Sequence, residues 1–112
     1  MDDEADREQI RAMLRYAGQA TAWAAAAGPA WTADEKTVAA IAMVVGQIGE
    51  SARRVTGESR ARWTALPWQR MRGMRNVLYH TYGVVDVAIL AATVTDDLPD
   101  LIDRLGAILT AP

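Results

Sequence analysis

The chain has 112 residues, 51% of them hydrophobic, which suffices for one hydrophobic core but not for two ordinary domains, so we expect a single domain over residues 1–112. It contains no cysteine, which excludes disulfides, thiolate nucleophiles and zinc sites built on sulfur, and its net charge of −2 argues against a generic nucleic-acid binder. Helix-forming residues dominate, phenylalanine is absent and strand-like alternation is hard to find, so the composition favours an all-α fold.

The first predicted helix runs from about Asp6 to Ala27. Acidic residues open it, which suits the positive end of the helix dipole. Gly28 and Pro29 are expected to end it. Its apolar face is a single stripe of residues: Ile10, Met13, Leu14, Ala17, Thr21 and Ala24.

The second predicted helix begins at a capping box over residues 32–35, in which the Thr32 hydroxyl and the Glu35 carboxylate each satisfy a free backbone N–H. We expect Gly57 to stop this helix. Its apolar residues step alternately by three and four, the spacing of a helix that packs lengthwise against another: Val38, Ile41, Val45, Ile48, Ala52 and Val55.

A third helix is predicted from about Pro67 to Tyr79, because Pro67 stands where a first-turn proline would. Gly83 closes this region of the chain. The side chains expected to face the core are Trp68, Met71, Val77 and Leu78.

The last predicted helix is capped by Asp86. Pro99 lies inside its apolar stripe, so we expect a kink or a break near Asp96 and Asp97. The expected architecture is an all-α, up-and-down bundle of four to five helices. The stripe consists of Val87, Leu90, Val94, Leu98, Leu101, Leu105 and Ile108 or Leu109.

The charges are unevenly distributed along the chain. Acids crowd the two ends, with five before residue 9 and five between residues 86 and 103. Residues 53–75, by contrast, have one acid, Glu58, beside seven arginines: Arg53, Arg54, Arg60, Arg62, Arg70, Arg72 and Arg75. This basic stretch is either an ordinary solvated surface or a patch that binds phosphates.

Several kinds of site are excluded or disfavoured by residue type. His80 is the only histidine, so catalysis by two histidines of one chain and metal sites built on clustered histidines are excluded. Gly46 and Gly49 resemble no phosphate loop and are interpreted as points of close helix contact. A solvated face is favoured over a metal site for the acids of the last helix, which have no histidine partner: Asp96, Asp97, Asp100 and Asp103.

The segment from Arg75 to Tyr82 combines a guanidinium, a carboxamide, an imidazole and a phenol. Cleavage of RNA without a metal needs an acid or base that works near neutral pH and a cation to hold the phosphorane, and His80 and Arg75 have these properties. On a straight helix, five residues turn two side chains about 140° apart. The helix must therefore distort near Tyr79 or end before His80, where a histidine can equally be a structural residue.

This segment resembles the signature of the HEPN-domain ribonucleases, and particularly of the HepT-like toxins of HepT/MntA toxin–antitoxin pairs. Arg75 is followed directly by Asn76, after four residues by His80, and after one more by Tyr82. The likeness covers roughly residues 35–110 in the order and spacing of the family. It includes residues 45–52, which resemble an isoleucine-glycine-glutamate-alanine stretch of the family, and residues 66–68, 73–76, 85–86 and 97–99.

The resemblance implies a homodimer in which two copies of the motif form one metal-independent site that needs no cofactor. Arg75 would bind the scissile phosphate, His80 would act as base or acid, and Asn76 would orient one of them. The partner chain would contribute a second histidine to the composite site. Arg70 and Arg72, basic neighbours of Arg75, are expected to contact the RNA.

The resemblance also implies a partner that silences the toxin. Tyr82 would receive AMP from a small nucleotidyltransferase antitoxin, which would block the site. The expected protein is thus a cytoplasmic toxin ribonuclease acting on cellular RNA. The alternative is a non-catalytic HEPN dimer that binds a nucleotide, an RNA or a partner protein.

Two features of the sequence argue against export or membrane insertion. The longest apolar runs fall short of the roughly 18 residues that a membrane span needs. The first residues are acidic, whereas a signal peptide has basic residues there. We therefore expect no contact with a membrane.

Overall fold

The fold comes from a computed structural model that describes residues 3–78 and 84–111, without the side chains of Val77 and Leu78. A 3₁₀ turn, Trp31–Ala33, precedes the second helix, and a π-helical turn, Thr93–Asp97, joins the last two helices. The prediction of an all-α fold is confirmed. Over these ranges the chain forms six α-helices: α1 (Asp3–Ala27), α2 (Glu35–Arg54), α3 (Gly57–Arg62), α4 (Trp68–Leu78), α5 (Val87–Ala92) and α6 (Leu98–Thr110).

The longer helices pack around one core. α2 packs against both α1 and α4, and α6 packs against α1. The start of α1 meets the end of α6, where the Arg7 guanidinium donates to the Ile108 carbonyl oxygen at 3.3 Å, and meets Thr56 just beyond α2. α2 and α6 therefore both run antiparallel to α1, which is the up-and-down arrangement that we predicted. The largest fully buried side chains include Ile10, Met13, Ile41, Ile48, Met71, Leu90, Leu98 and Leu105.

α1 matches the predicted first helix, although it begins at Asp3 rather than at Asp6. Gly28 ends it with a φ of 91°, a conformation that glycine adopts without strain, and its amide donates to the Ala24 carbonyl oxygen at 3.1 Å. Neither α1, at 25 residues, nor any other helix in the described ranges is long and apolar enough to cross a membrane. The core-facing part of the predicted stripe is Ile10, Met13, Ala17 and Ala24.

The predicted capping box of the second helix is wrong. Thr32 lies within the 3₁₀ turn that buries Trp31, and α2 begins three residues after Thr32, with Asp34 at its N-cap. The Asp34 side chain bonds no backbone N–H, but its carboxylate accepts a hydrogen bond from the Thr37 hydroxyl. Burial of the large Trp31 ring thus moves the helix start past the residue that local capping rules would select. The predicted apolar seam, Val38 to Val55, is buried as expected.

The predicted role of Gly57 is also wrong. α2 ends at Arg54, and Gly57 begins the short helix α3, which the sequence did not predict. Thr56 caps α3, since its hydroxyl accepts a hydrogen bond from the Ser59 amide at 3.3 Å.

Asp6 is a buried acid that joins the start of α1 to α3. Its carboxylate accepts hydrogen bonds from the Thr56 amide at 3.1 Å, the Thr56 hydroxyl at 2.6 Å and the Ser59 hydroxyl at 2.6 Å. Burial by itself raises the pKa of Asp6, but the hydrogen bonds from Ser59 and Thr56, with the nearby charge of Arg62, lower it below its ordinary value. Asp6 is therefore charged in the folded protein and holds α3 in place.

α4 begins one residue after Pro67, close to the predicted start. Met71 is fully buried, as predicted, and the half-buried Trp68 donates through its indole Nε1 to the Trp63 carbonyl oxygen at 2.9 Å. The predicted inward positions of Val77 and Leu78, the helix end at Tyr79 and the role of Gly83 fall outside the described residues.

The last helical region starts as predicted, because the Asp86 carboxylate accepts a hydrogen bond from the Ile89 amide at 3.0 Å and caps α5. The kink or break expected near Asp96 and Asp97 corresponds to an interruption of the α-helix at these residues. The chain widens into the π turn Thr93–Asp97, after which Pro99 lies in the first turn of α6. The missing N–H of proline costs little at that position, and the wider turn lets the helix continue.

Candidate functional site

Arg75 and Asn76 are both exposed near the end of α4. The Arg75 guanidinium forms an ion pair with the Glu50 carboxylate of α2, at 2.8 Å between Nη1 and Oε2. The Arg75 side chain is 58% exposed and that of Glu50 is 25% exposed, so the arginine points to solvent while its partner is half buried. This pair fixes the guanidinium of the motif to the second helix.

Gly49 brings α4 close enough to α2 for this pair to form. A Cβ atom at Gly49 would lie 3.1 Å from the Met71 carbonyl oxygen and 3.3 Å from the Arg75 amide nitrogen. Any larger residue would therefore push the two backbones apart by a few tenths of an ångström. The predicted close helix contact at Gly49 is confirmed.

Gly46 differs from Gly49, and the close contact predicted for it is wrong. A Cβ atom at Gly46 would meet no other atom within 4 Å. Gly46 lies about one turn of α2 before Gly49 and is itself buried, but a side chain at this position would enter unoccupied space rather than meet a neighbouring helix.

The space above Gly46 is a groove beside Arg75, with a volume of about 360 Å³. We call it the α2 groove. Its lining residues are Met43, Gly46, Gln47, Glu50, Arg54 and Arg75. Our sequence analysis identified neither Glu50 as the partner of Arg75 nor Arg54 as its neighbour, although Glu50 belongs to the family-like stretch 45–52.

Most arginines of the basic stretch are partly neutralised. Acids of the two ends reach it in space, since Arg62 pairs with Asp3 and Arg70 pairs with Asp97 at 2.9 Å. Arg53 lies 3.9 Å from Glu50. Charges that are separated along the sequence, basic in the middle and acidic at the ends, are therefore partly paired in the folded chain.

The two predicted RNA contacts lie in different surroundings. Arg70 pairs with Asp97 and lines a cavity of about 380 Å³ between α4 and the π turn, away from Glu50. Arg72 is exposed and, among the residues that the structure describes, has no ion-pair partner. Because Arg70 and Arg75 are five residues apart on one helix, they lie on different faces of α4.

Two of the four acids of the last helical region, Asp97 and Asp100, pair with arginines. Asp97 pairs with Arg70, and Asp100 pairs with Arg104 at 2.7 Å. In residues 3–78 and 84–111, no three histidine, cysteine, aspartate or glutamate side chains group in a way that could hold a metal ion. These contacts give the acids an electrostatic role on the surface of the bundle.

His80 and Tyr82 lie outside the described residues, as does the turn that we predicted near Tyr79. The structure thus describes the guanidinium and carboxamide of the motif, with their surroundings, and not its imidazole or its phenol. Their relative placement remains a prediction from the sequence.

Comparison with known proteins connects these features to one family. A family described as ribonuclease HepT-like matches residues 7–108. The chain is 35% identical over 68 residues to a protein of Thermococcus cleftensis named as a probable ribonuclease HepT, an alignment that covers 61% of this chain and 62% of that protein. It is also 35% identical over 54 residues to a Methanocaldococcus jannaschii protein named as a candidate RNase, covering 48% of this chain and 50% of the relative. No solved structure matches the chain.

Proposed function

Because the chain belongs to the ribonuclease HepT-like family, we propose that it is a metal-independent endoribonuclease of a toxin–antitoxin system that cleaves cellular RNA. The observation that carries this proposal is the exposed Arg75, held by Glu50 at 2.8 Å within the matched residues 7–108. The curated relatives are named as ribonucleases, but the aligned parts cover less than two thirds of their lengths. Their names support a ribonuclease activity for this chain, and the exposed Arg75 of the motif is the second line of support.

The proposed reaction is an attack of the RNA 2′-hydroxyl on the adjacent phosphorus. His80 takes the proton from this hydroxyl, and the new O–P bond forms as the bond from phosphorus to the 5′-oxygen breaks. Arg75 neutralises the charge that develops on the non-bridging oxygens. The products are a 2′,3′-cyclic phosphate and a 5′-hydroxyl.

The leaving 5′-oxygen needs a proton, and this chain has one histidine. In a homodimer, His80 of the partner subunit can donate that proton, so that one histidine acts as base and the other as acid. Asn76, beside Arg75, orients one of the reacting groups. Arg70 and Arg72 are the proposed contacts to the rest of the RNA, and Arg72 has more of its charge available since Arg70 pairs with Asp97.

The test of the activity is RNA cleavage by purified variants. Arg75→Ala and His80→Ala should each abolish cleavage while the helical content and the molecular mass in solution stay those of the wild type. Arg15→Ala, an exposed arginine of α1, is the matched control and should cleave at the normal rate. Cleavage that requires an added metal ion would contradict the mechanism, and RNA binding without cleavage would favour the non-catalytic alternative.

The proposed regulation is transfer of AMP to Tyr82 by a nucleotidyltransferase antitoxin. The phenol loses its proton as its oxygen attacks the α-phosphorus of ATP, pyrophosphate leaves, and the added phosphodiester gives the motif a new negative charge. Coexpression with a nucleotidyltransferase encoded beside this gene should increase the intact mass by one or more AMP units. The increase should vanish in Tyr82→Phe and persist in Tyr16→Phe, whereas full inhibition without any mass change would point to steric binding.

A further inference from the structure

The α2 groove contains a glycine that packing does not require. Glycine inside a helix lowers helix stability relative to alanine, so it is usually retained where a neighbouring backbone needs the space. Gly49 meets this description, with the Met71 carbonyl oxygen 3.1 Å from its would-be Cβ. Gly46 does not, since nothing approaches it within 4 Å. The effect of Gly46 is to keep the floor of the groove open.

Two arginines, Arg75 and Arg54, line this groove with its single carboxylate, Glu50. Glu50 lies 2.8 Å from Arg75 and also 3.9 Å from Arg53, which is not part of the lining. Two positive charges and one negative charge leave the groove with a surplus of one. An anion that enters the groove is therefore attracted to it, and a guanidinium suits a phosphate because its N–H groups match the phosphate oxygens.

Arg54 forms no ion pair with Glu50, and it lies between this groove and a cavity that Asp3, Asp6 and Glu58 also line. Its side chain is exposed, and within residues 3–78 and 84–111 it has no ion-pair partner. Gly46, Glu50 and Arg54 follow one another every four residues, so they form one stripe along α2 with steps of about 6 Å. The groove thus runs along the helix from the open floor, past Arg75, to Arg54.

We propose that the α2 groove is a second phosphate-binding subsite, in which Arg54 binds a phosphate of the RNA strand next to the phosphate bound by Arg75. This inference rests on the proposed function, because it takes Arg75 as the residue at the scissile phosphate. Gly46 provides the floor over which the strand passes. Glu50 keeps the arginines together by reducing the repulsion between them.

The first experiment measures the salt dependence of binding to a 2′-O-methyl oligonucleotide, which lacks the attacking hydroxyl and cannot be cut by the proposed reaction. Loss of one phosphate contact should reduce the slope of log affinity against log salt concentration by about 0.7 for a single strand. We expect this reduction in Arg54→Gln. The matched control, Arg15→Gln on α1, should keep the wild-type slope, since Arg15 lies outside the groove.

The second experiment fills the groove without disturbing the packing of the helices. Gly46→Leu places a side chain where no protein atom lies within 4 Å of the Cβ, so the melting temperature should not fall. Affinity for the same oligonucleotide should drop by tenfold or more. Gly18→Leu introduces the same residue at another open glycine, on α1, and should bind normally.

The outcomes separate this inference from the proposed function. A wild-type slope in Arg54→Gln, or normal binding by Gly46→Leu, would overturn the subsite even if the wild type cleaves natural RNA. A change of molecular mass in Gly46→Leu would also overturn it, because a second copy of the chain would then occupy the groove. If the subsite variants behave as expected but the wild type cleaves no RNA, the subsite stands and the ribonuclease proposal fails.

Discussion

Glu50 controls the charge that Arg75 can offer to a substrate. The pair at 2.8 Å fixes the guanidinium to α2, but it also places a negative charge where a phosphate would bind. These two effects act in opposite directions on substrate affinity and on the rate of cleavage. A variant that keeps the shape of the side chain and removes its charge can therefore separate them.

Glu50→Gln should bind the 2′-O-methyl oligonucleotide several-fold more tightly at low salt, because the groove loses its one negative charge. It should cleave natural RNA about tenfold or more slowly, because Arg75 loses its charged anchor and small displacements of a catalytic group are costly. Single-turnover cleavage and equilibrium binding measure the two effects separately. Glu35→Gln, an exposed glutamate at the start of α2, is the control, and equal losses of affinity and rate in Glu50→Gln would contradict this role.

Asp6 makes the stability of the fold depend on acidic pH. Its side chain is only 4% exposed, and its pKa in the folded protein lies below the ordinary value of 3.8. The stabilisation from its charge is therefore complete above about pH 5 and disappears as the pH falls through the folded-state pKa. This carboxylate holds α3 through Thr56 and Ser59.

Asp6→Asn should lower the free energy of unfolding at pH 7 by about 1–3 kcal/mol, the usual cost of leaving a buried hydrogen-bond partner unsatisfied. Between pH 5 and pH 2.5, the free energy of unfolding of Asp6→Asn should also fall less steeply with pH than that of the wild type. Urea unfolding across this pH range, with Asp103→Asn on the exposed face of α6 as the control, provides the measurement. An unchanged pH dependence in Asp6→Asn would show that other acids cause the loss of stability.

At the scale of elements, the contact between α2 and α4 determines where the motif lies. Gly49→Ala should destabilise the fold by up to about 2 kcal/mol, because overpacking costs about 1–3 kcal/mol and the gain in helix propensity returns up to about 1 kcal/mol. It should also slow cleavage, since the added methyl group presses on the Arg75 amide at 3.3 Å. Thermal unfolding and RNA cleavage measure these two effects.

Gly18→Ala is the matched control for this contact. The new methyl group meets no atom within 4 Å, so the same substitution should stabilise the protein by about 0.5–1 kcal/mol. Similar effects of the two substitutions would mean that α4 does not depend on Gly49 for its position.

The π turn shows how one element adapts to a proline. Residues Thr93–Asp97 form a π-helical turn, which is wider than an α-helical turn. Asp97 in this turn pairs with Arg70 of α4 at 2.9 Å. The pair is too exposed to contribute more than about 1 kcal/mol, since 68% of the Arg70 side chain faces solvent. The turn therefore connects α5 to α6 mainly through the burial of Val94 and Leu98.

At the scale of the whole molecule, the proposed composite site requires two chains. We expect light scattering to give twice the chain mass of 12.2 kDa at micromolar concentration, with the face of α2 and α4 in the interface. Trp23 of α1 is 39% exposed and lies outside that face, so Trp23→Asp should change neither the mass nor the cleavage rate.

A monomeric wild type that still cleaves RNA would contradict the composite site. The mass of the wild type at several concentrations, measured together with its cleavage rate, decides the question. If the dimer and the activity are lost together on dilution, the second chain is part of the site.

The sequence by itself determined the four main helical regions, though not α3, and the residues of the motif. Apolar spacing predicted the stripe of α1 and the seam of α2, and Gly28 and Asp86 were recognised as a stop and a cap. These features depend on hydrogen bonds and side-chain patterns within about four residues, which the sequence displays directly. Resemblance to the family identified four residues of the motif: Arg75, Asn76, His80 and Tyr82. The roles of all four remain predictions.

The tertiary structure alone decided which distant residues meet. Gly46 and Gly49 look alike in the sequence, but only Gly49 lies under the backbone of α4. Glu50 pairs with Arg75 across 25 residues, and Asp6 binds Ser59 across 53 residues. Such contacts depend on the rotation and distance at which whole helices pack, which is a property of all their buried side chains together and not of any local pattern.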